Sequence, residues 1–479
     1  MSENLKSKTV NSLVWNTVNS VFTQLCYAVT GVILARLLPV NDFGLIGVIM
    51  AFSAFVNIFI DSGFSMALIQ KEKVTEKDYS TVFFFNLFIS CILYIILFFA
   101  APLIAYFYKD EQLVLLSRVM FLNIIFLSFG LVQSSILMRN MNMKKLTIAN
   151  TVSLGLSGGI ALVMAFTGCG VWTLVVQTLS LSFCKSAILW LSNQWRPTLT
   201  FSKESFKSIF AVGSNILMTS FINTFFQNIY SLIIGAWYTT KSLAYYTQAD
   251  KWSKMGTMGL SQIIGFAFFP ALSSIQSDKE RMQRVFGKTN KMTSYLTFPV
   301  FIGLVVVSQS LFHVLFGTKW DASVVMFQLL TIKGIFFIFT SLLNNYIMAT
   351  GKTRVIFLIE VAKDIIALIL ILVTVQISIM ALIIGQVVVG IIHYFITAWA
   401  TERQTSYSVI RQFKDMFPYF VISLVIGGIL LSLNTVITNV YLLLAAQIIV
   451  GIGCYVLINQ LLNSKIQKEI LNLITRKKS

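Results

Sequence analysis

The sequence predicts an all-α polytopic membrane protein with about 14 transmembrane helices, arranged as two parallel six-helix lobes plus two extra C-terminal helices. Three observations support this fold class: the composition, the number of long apolar stretches and an internal repeat. Hydrophobic residues make up 57% of the 479 residues and charged residues only 11%, with a mean hydropathy of +0.81. Soluble domains contain about a quarter charged residues, so the composition excludes that class.

The apolar stretches are long enough to cross a bilayer, which takes about 20 mostly apolar residues. Fourteen of them run over 12–35, 43–65, 81–107, 113–138, 146–166, 171–193, 207–234, 243–272, 292–316, 322–349, 355–375, 379–400, 416–434 and 440–462. Little chain lies between them, so we expect no sizeable soluble domain. The first stretch is too long for the apolar core of a signal peptide, and we expect no cleavable signal.

The basic residues predict the orientation. If the N-terminus is cytoplasmic and the spans alternate, 26 lysine and arginine residues fall on the cytoplasmic side. Only four, Arg36, Lys109, Lys241 and Lys319, fall on the other side. This positive-inside bias predicts an even number of spans with both termini in the cytoplasm. It also explains most of the formal charge of +18, so the charge does not indicate a nucleic-acid partner.

The first twelve spans resemble two copies of a six-helix unit. Residues 43–45 open the second span as residues 243–245 open the eighth, and Gln177 corresponds to Gln386. Repeats of six spans have the same topology, which predicts a pseudo-two-fold axis along the membrane normal and a substrate path between the lobes. The predicted domains are an N-terminal lobe over 1–200, a C-terminal lobe over 201–405, and two additional helices with a basic cytoplasmic tail over 406–479.

The eighth span contains charges in its first third. Asp250, Lys251 and Lys254 lie within one broad helix face because they are three or four residues apart. A charge inside a membrane helix costs about 2.5–3.5 kcal/mol on insertion scales, which favours a functional role. If the helix starts near Leu243, the two lysines lie close to the bilayer centre. The alternative is a start near Met255, with the charges at the interface.

Other charges fall inside predicted spans. Glu360, Lys363 and Asp364 share a face of the eleventh span, either as a self-compensating buried group or as protonatable carboxylates for ion coupling. Candidate ion-coupling residues are therefore Asp364, Glu360 and Asp250. The candidate substrate-binding residues are the intramembrane cations Lys251, Lys254, Lys333, Arg118 and Lys185. The alternative for Arg118 and Lys185 is that their long side chains extend to the interface.

The intramembrane cations outnumber the anions, six to four, once Lys363 and Asp61 are included. A path with excess positive charge suits an anionic substrate, and lysine binds phosphate as a point charge. Asp61, Pro270 and Pro299 are candidate gating or hinge residues, although Asp61 could simply end its helix and the prolines could kink helices without motion.

Several further features have simpler interpretations. We expect His313 and His393 to be structural residues without partners. Gly155 and Gly159 form a GxxxG pattern that predicts close helix packing. The five cysteines have no metal-ligand spacing, and we predict no disulfide, metal site or cofactor. No Walker loop or HExxH motif occurs, and the loops are too short to build a catalytic cleft, so the sequence predicts a transporter without catalytic residues, driven by an H⁺ or Na⁺ gradient and not by ATP.

Five segments of the sequence are similar to one known family. They are GVILARLLPVNDFGLIGV (Gly31–Val48), IDSGFSMALIQ (Ile60–Gln70), ILMRNMNMKKL (Ile136–Leu146), GVWTLVVQ (Gly170–Gln177) and the block from Ala244 to Asp278 with AYYTQADK and FFPALSSIQSD. In these segments the chain resembles the polysaccharide-transport (Wzx-type) flippases of the MOP superfamily, in the branch of WzxC-like and TuaB-like proteins. The resemblance extends over residues 1 to about 405.

The resemblance implies a flippase that moves undecaprenyl-diphosphate-linked oligosaccharides across the bacterial cytoplasmic membrane by alternating access, with ion antiport. It implies a fold like those of MurJ and the MATE exporters. The lipid-linked oligosaccharide, the bilayer and a polysaccharide polymerase with other assembly proteins are the expected partners. A MATE-like cation or drug antiporter is the alternative, although it predicts a negatively charged cavity. A membrane-embedded polymerase or ligase is a third option that lacks the expected long external loop.

Overall fold

The structure, a computed structural model, describes residues 3–61, 64–273, 278–405 and 407–469. The side chains of residues 3–14, 16, 17, 61, 66, 208, 211, 212, 215, 263, 266–273 and 279 are not among those described. The secondary structure of the described residues is helical, without strands. The helices are α1 (Glu3–Leu37), α2 (Val40–Asp61), α3 (Phe64–Gln70), α4 (Glu76–Tyr108), α5 (Gln112–Met120), α6 (Asn123–Arg139), α7 (Met143–Phe166), α8 (Trp172–Ser192), α9 (Lys203–Trp237), α10 (Thr240–Ser273), α11 (Lys279–Phe316), α12 (Asp321–Ala349), α13 (Thr353–Thr374), α14 (Ile379–Thr405), α15 (Val409–Val436) and α16 (Val440–Leu461).

Every predicted span coincides with helix, which confirms the all-α polytopic membrane class. A bilayer supplies no water to exposed backbone groups, so a helix is the way for a single apolar segment to satisfy them. The fourth span is divided into α5 and α6. Among the described residues, eleven helical segments are long and apolar enough to span a membrane. Helices α9, α10 and α13 are not among them, so the count of fourteen stays a prediction.

Polar side chains at loop ends fix where several helices begin. Thr75 and Asp78 form a reciprocal capping box at the start of α4. Ser202, Asp278 and Ser408 accept hydrogen bonds from the first turns of α9, α11 and α15. These caps satisfy backbone N–H groups that have no partner inside the helix. The apolar stretches therefore become helices with defined ends at the membrane surface.

The chain divides into two compact units, Met1–Ala244 and Tyr245–Ser479. In the first unit α7 packs against α1 and α8, and α9 packs against α2. A cluster of Leu137, Leu146, Ala149 and Leu189 joins α6, α7 and α8. The predicted domain limits at 200 and 405 stay a prediction.

The second unit has an aromatic core at one end of its helices. The rings of Phe286 and Tyr346 stack with centroids 4.2 Å apart, and Tyr407 packs edge-on against Phe286 at 5.1 Å. Tyr295 packs against Tyr455 at 5.1 Å, and the Tyr455 hydroxyl donates to the Tyr295 carbonyl over 2.8 Å. These contacts join α11 to α12 and α16 within the second unit.

The helix bounds repeat at an offset of 200 residues, in agreement with the internal repeat. Helix α1 ends at Leu37 and α9 ends at Trp237. The next helices begin at Val40 and Thr240. Sequence similarity in this hairpin thus extends to the positions at which its first helix ends and its second helix begins.

The prediction that Gly155 and Gly159 mediate close helix packing is wrong. A Cβ atom added at either residue would meet nothing within 4 Å. The close approach is instead at Gly158, where an added Cβ would lie 2.9 Å from the Thr30 methyl group of α1. The GxxxG pattern identified the right helix and the wrong face. Small residues stand next to each other at 157–159, so the spacing alone does not show which of them makes the close contact.

Candidate functional site: a charged cluster in the second unit

The charged residues of the second unit lie on helices α10, α12 and α13. Helix α10 begins at Thr240, close to the expected Leu243 and fifteen residues before Met255. Asp250 and Lys254 therefore lie roughly 15 and 21 Å along the helix axis from its start. The charges are within a continuous helix and do not precede it.

Asp250 and Lys254 form an ion pair within one turn of α10. Their carboxylate and ammonium groups are 2.6 Å apart. The Asp250 side chain is 15% exposed and the Lys254 side chain 42% exposed, so the pair reaches the surface of the unit through its lysine. Lys251 is exposed on another side of the helix, with its ammonium 5.9 Å from the centre of the Trp252 ring.

Lys363 joins two carboxylates on α13. Its ammonium lies 2.5 Å from Glu360 and 3.2 Å from Asp364. The Asp364 side chain is only 13% exposed, and its Oδ1 atom is buried without a hydrogen-bond partner among the described residues. This oxygen is paired by charge with the Lys363 ammonium, and it can also accept a proton.

His393 contacts this group from α14, so the prediction of a partnerless His393 is wrong. Its Nε2 atom lies 3.5 Å from the Glu360 Oε1 atom. The two residues are equidistant along the chain from the turn between α13 and α14. An antiparallel helix hairpin brings such residues to the same depth, which is the sequence signal that could have identified the contact.

Lys333 of α12 interacts with both the charged pair of α10 and the charged group of α13. Asp250, Lys254 and Lys363 are all close enough to interact electrostatically with it. Its side chain is half-buried and lies against α14, where a Cβ added at Gly390 would be 3.2 Å from the Lys333 Cγ atom. The structure thus brings the predicted residues of three helices together around Lys333.

Two lysines of the second unit, Lys333 within this cluster and Lys251 on the exposed side of α10, have no carboxylate counterion among the described residues. Lys254 neutralises Asp250, and Lys363 is shared by Glu360 and Asp364. Within the described part of the chain, Lys251 and Lys333 form no ion pair. Chemically, the cluster offers cations to an anion and carboxylates to a proton or small cation. The described residues contain no group of three side chains suited to bind a metal ion.

The remaining predicted site residues lie elsewhere. Arg118, at the end of α5, stacks its guanidinium 4.2 Å from the centre of the Phe98 ring and donates to the Phe98 carbonyl. Lys185 is half-buried on α8. Both belong to the first unit.

The candidate hinge residues are placed only in part. Asp61 is the last residue of α2, and Pro270 lies within α10, but the side chains of both fall outside the described ones. Pro299 lies inside the continuous helix α11. His313, half-buried near the end of the same helix, forms no ion pair within the described residues.

Comparison with known sequences gives one matching family. The family described as "Polysaccharide biosynthesis protein" matches residues 33–325, more than half of the chain. The chain is 23% identical to the teichuronic acid biosynthesis protein TuaB of Bacillus subtilis, with 92% of this chain and 93% of that protein covered. It is 22% identical to the lipopolysaccharide biosynthesis protein WzxC of Escherichia coli, with 89% of each covered. It is 25% identical to the succinoglycan biosynthesis transport protein ExoT of Rhizobium meliloti, with 74% and 72% covered.

Solved structures show the same fold. The inward closed conformation of the lipid II flippase MurJ superposes with a TM-score of 0.75 at 15% identity, covering 94% of this chain and 98% of that chain. An inward-facing MATE family transporter of the MOP superfamily superposes with a TM-score of 0.60 at 14% identity, covering 82% and 98%. At these identities the similarity establishes the fold.

Proposed function

Since the chain belongs to the polysaccharide biosynthesis protein family and has the MOP-superfamily fold, we propose that it is a flippase for undecaprenyl-diphosphate-linked oligosaccharides. The oligosaccharide is a repeat unit of an O-antigen, capsule or exopolysaccharide. It crosses the bacterial cytoplasmic membrane by alternating access, and the protein acts as a transporter and not as an enzyme. The names of TuaB, WzxC and ExoT support this substrate class, since each refers to a cell-surface polysaccharide.

The observation that carries the proposal is the cluster around Lys333. A diphosphate has about two negative charges, and Lys251 and Lys333 are two cations that no carboxylate of the described residues neutralises. Lys254 is 42% exposed and can exchange Asp250 for a phosphate oxygen at small cost. Lysines suit this role because an ammonium binds phosphate as a point charge, without a fixed geometry. In this proposal Lys251, Lys254 and Lys333 attract the diphosphate, and Arg118 and Lys185 are further candidate substrate-binding residues.

The membrane potential favours export of such a substrate. The cytoplasm is negative, so each negative charge that moves outward uncompensated gains about 2.3 kcal/mol per 100 mV. Ion coupling supplies the remaining drive: Asp364, Glu360 and Asp250 bind H⁺ or Na⁺ when substrate has left. The ion pairs support this assignment. If Lys363 or Lys254 moves away from its carboxylate when substrate binds, the affinity of that carboxylate for a cation changes.

The proposed location is the cytoplasmic membrane, with both termini in the cytoplasm. The excess of lysine and arginine in the loops on one side supports this orientation. Partners are the lipid-linked oligosaccharide, the bilayer and the polysaccharide polymerase that uses the exported units. The positive-inside bias accounts for the basic residues, so nucleic acid is not among the proposed partners.

Depletion of the protein from its own cell tests the proposal. We expect an undecaprenyl-diphosphate-linked oligosaccharide to accumulate, detected by mass spectrometry of the lipid extract. Its sugars should react with membrane-impermeant periodate in inside-out vesicles and not in intact spheroplasts. The wild-type gene should reverse both effects.

Variants of the three lysines test whether they are needed for export. The triple change Lys251→Gln, Lys254→Gln and Lys333→Gln should fail to restore export at normal protein levels. A control in which exposed Lys352 becomes Gln should restore it. Unchanged levels and sidedness of the lipid on depletion would contradict the flippase proposal, and full export by the triple variant would contradict the site.

A further inference from the structure

A cavity lies apart from the charged cluster, at the end of the second unit where α11 and α15 begin and α16 ends. Its volume is about 620 Å³, within the roughly 300–1,000 Å³ range of small-molecule sites. We call it the basic cavity after its six cations, Arg284, Lys288, Lys291, Arg411, Lys414 and Lys465. Only two carboxylates, Asp415 and Glu469, line it.

Both carboxylates of the basic cavity are already occupied. Glu469 lies 2.7 Å from Lys288, and Asp415 lies 3.1 Å from Lys291. Asp415 also accepts a 2.7 Å hydrogen bond from the Tyr407 hydroxyl. Burial and this hydrogen bond raise the pKa of Tyr407 above its usual value, so the hydroxyl stays protonated and keeps donating to Asp415.

Arg284 lies 3.9 Å from Glu280, so three cations of the basic cavity have no carboxylate partner among the described residues. Within the described residues, Arg411, Lys414 and Lys465 form no ion pair. They extend from two different helical segments, the start of α15 and the chain that follows α16, toward one space. Like charges held together in this way repel each other, and a bound anion would remove that repulsion.

An apolar groove lies next to the basic cavity along the same three helices. Its volume is about 360 Å³, and its walls include Val300 and Gly303 of α11, Ile426 of α15, and Ile452 of α16. Along α11 the groove starts at Tyr295, one helical turn after Lys291 of the cavity. Along α15 it starts at Ser423, one turn after Tyr419. The molecule thus presents cations and then hydrocarbon-lined space in the order that a lipid presents a phosphate and then acyl chains.

We propose that the basic cavity binds the phosphate headgroup of an anionic membrane phospholipid whose acyl chains lie in the apolar groove. Charge complementarity and the adjacent apolar groove favour this ligand over a soluble anion, which would leave the groove empty. An acidic peptide would likewise leave the groove empty. The bound lipid would hold α15 and α16 against α11. This site is separate from the substrate cluster, so it does not depend on the proposed transport activity.

The test is lipid binding to the purified full-length protein, measured by native mass spectrometry in detergent. We expect dioleoyl phosphatidylglycerol to be retained in preference to dioleoyl phosphatidylcholine. Arg411→Gln, Lys414→Gln and Lys465→Gln together should weaken phosphatidylglycerol binding by at least about tenfold. The control combines Lys207→Gln, Arg281→Gln and Arg354→Gln, three exposed cations outside the cavity, and should leave binding unchanged.

A second pair of variants tests the groove while leaving the cations in place. A Cβ added at Gly303 meets nothing within 4 Å, so Gly303→Leu fills the groove without a backbone clash. Gly453 of α16 has the same open surroundings and does not line the groove, which makes Gly453→Leu the matched control. Gly303→Leu should weaken phosphatidylglycerol binding, and Gly453→Leu should not.

Four results would overturn the proposal. The first is equal retention of the two lipids, or equal loss of binding in the cavity variant and its charge-matched control. The second is full competition by inorganic diphosphate, which would indicate a soluble anion. The third is preferential binding of undecaprenyl phosphate through the same three cations, which would indicate the carrier lipid. The fourth is displacement of the lipid by a poly-glutamate peptide, which would indicate an acidic protein partner. Circular dichroism of each variant confirms that the helices are intact.

Discussion

At the scale of single residues, the second unit keeps its intramembrane charges mostly in contact with one another. A lone charge in hydrocarbon is costly, whereas a paired charge recovers part of that cost through Coulomb attraction. Lys363 serves two carboxylates, and Lys254 serves one. Lys251 and Lys333 depart from this pattern within the described residues, which makes them the positions where a ligand changes the energy most.

Helical spacing predicted the pairs within a helix and none of those between helices. Asp250–Lys254 and Glu360–Lys363 are four and three residues apart, so the sequence alone places each pair on one face. The approach of His393 to Glu360, and of Lys333 to Asp250, depends on how neighbouring helices are rotated. The rotation of each helix about its axis is set by the packing of many apolar side chains, and the spacing between two residues in the sequence does not indicate it.

Asp364→Asn tests ion coupling at this scale. Asparagine keeps the size of the side chain and removes the group that titrates, so we expect the response of transport to an imposed pH gradient to disappear. The measurement is flipping of a fluorescent polyprenyl-diphosphate-linked glycan in proteoliposomes, with and without the gradient. Asp321→Asn, at an exposed carboxylate at the start of α12, is the control. Full gradient dependence in Asp364→Asn would remove this residue from the coupling proposal.

At the scale of elements, the start of α2 is fixed by a close backbone contact. A Cβ atom added at Gly44 would lie 2.0 Å from the Thr240 carbonyl oxygen, at the first residue of α10. The Thr240 hydroxyl also donates a 2.9 Å hydrogen bond to the Asn41 side chain. Glycine is required at position 44 because backbone atoms occupy the space that any other side chain needs.

Gly44→Ala should therefore destabilise the protein by separating these two helix starts. A methyl group in contact with backbone can be accommodated only by moving a helix, and overpacking of this kind costs about 1–3 kcal/mol. The midpoint of thermal aggregation in detergent should fall relative to wild type. Gly159→Ala, where the added Cβ meets nothing within 4 Å, should leave the midpoint unchanged. Equal midpoints for the two variants would contradict the contact.

The helices themselves were largely predictable, and their interruptions were not. All fourteen apolar stretches coincide with helix, because length and apolar content decide that outcome in a bilayer. The break after Met120 falls inside a stretch that hydropathy assigns to one span. Residues on both sides of such a break are equally apolar, so hydropathy cannot distinguish a bent span from a straight one.

At the scale of the whole molecule, the basic residues predict a single orientation that a native cysteine can test. Cys169 is the exposed one among the five free cysteines, and it lies in the turn between α7 and α8. With both termini in the cytoplasm, this turn faces outward. A membrane-impermeant maleimide should label the wild-type protein in intact spheroplasts and not in sealed inside-out vesicles.

Two variants complete the labelling experiment. Cys169→Ser should abolish the signal from spheroplasts, which shows that the reagent reached no other thiol. Lys352→Cys on that background places a thiol in the turn between α12 and α13, which should react only in inside-out vesicles. Labelling with the opposite sidedness would overturn the predicted topology.

The common 200-residue offset of the two hairpins has a consequence for insertions in this protein. A residue added before Asp250 would turn the rest of α10 by about 100° and advance it by about 1.5 Å. Asp250 and Lys254 would then leave the side of the helix that faces Lys333, although the hydropathy of the span would hardly change. The turn between α9 and α10, which lies 200 residues after the turn between α1 and α2, therefore fixes the angle at which these charges leave the helix.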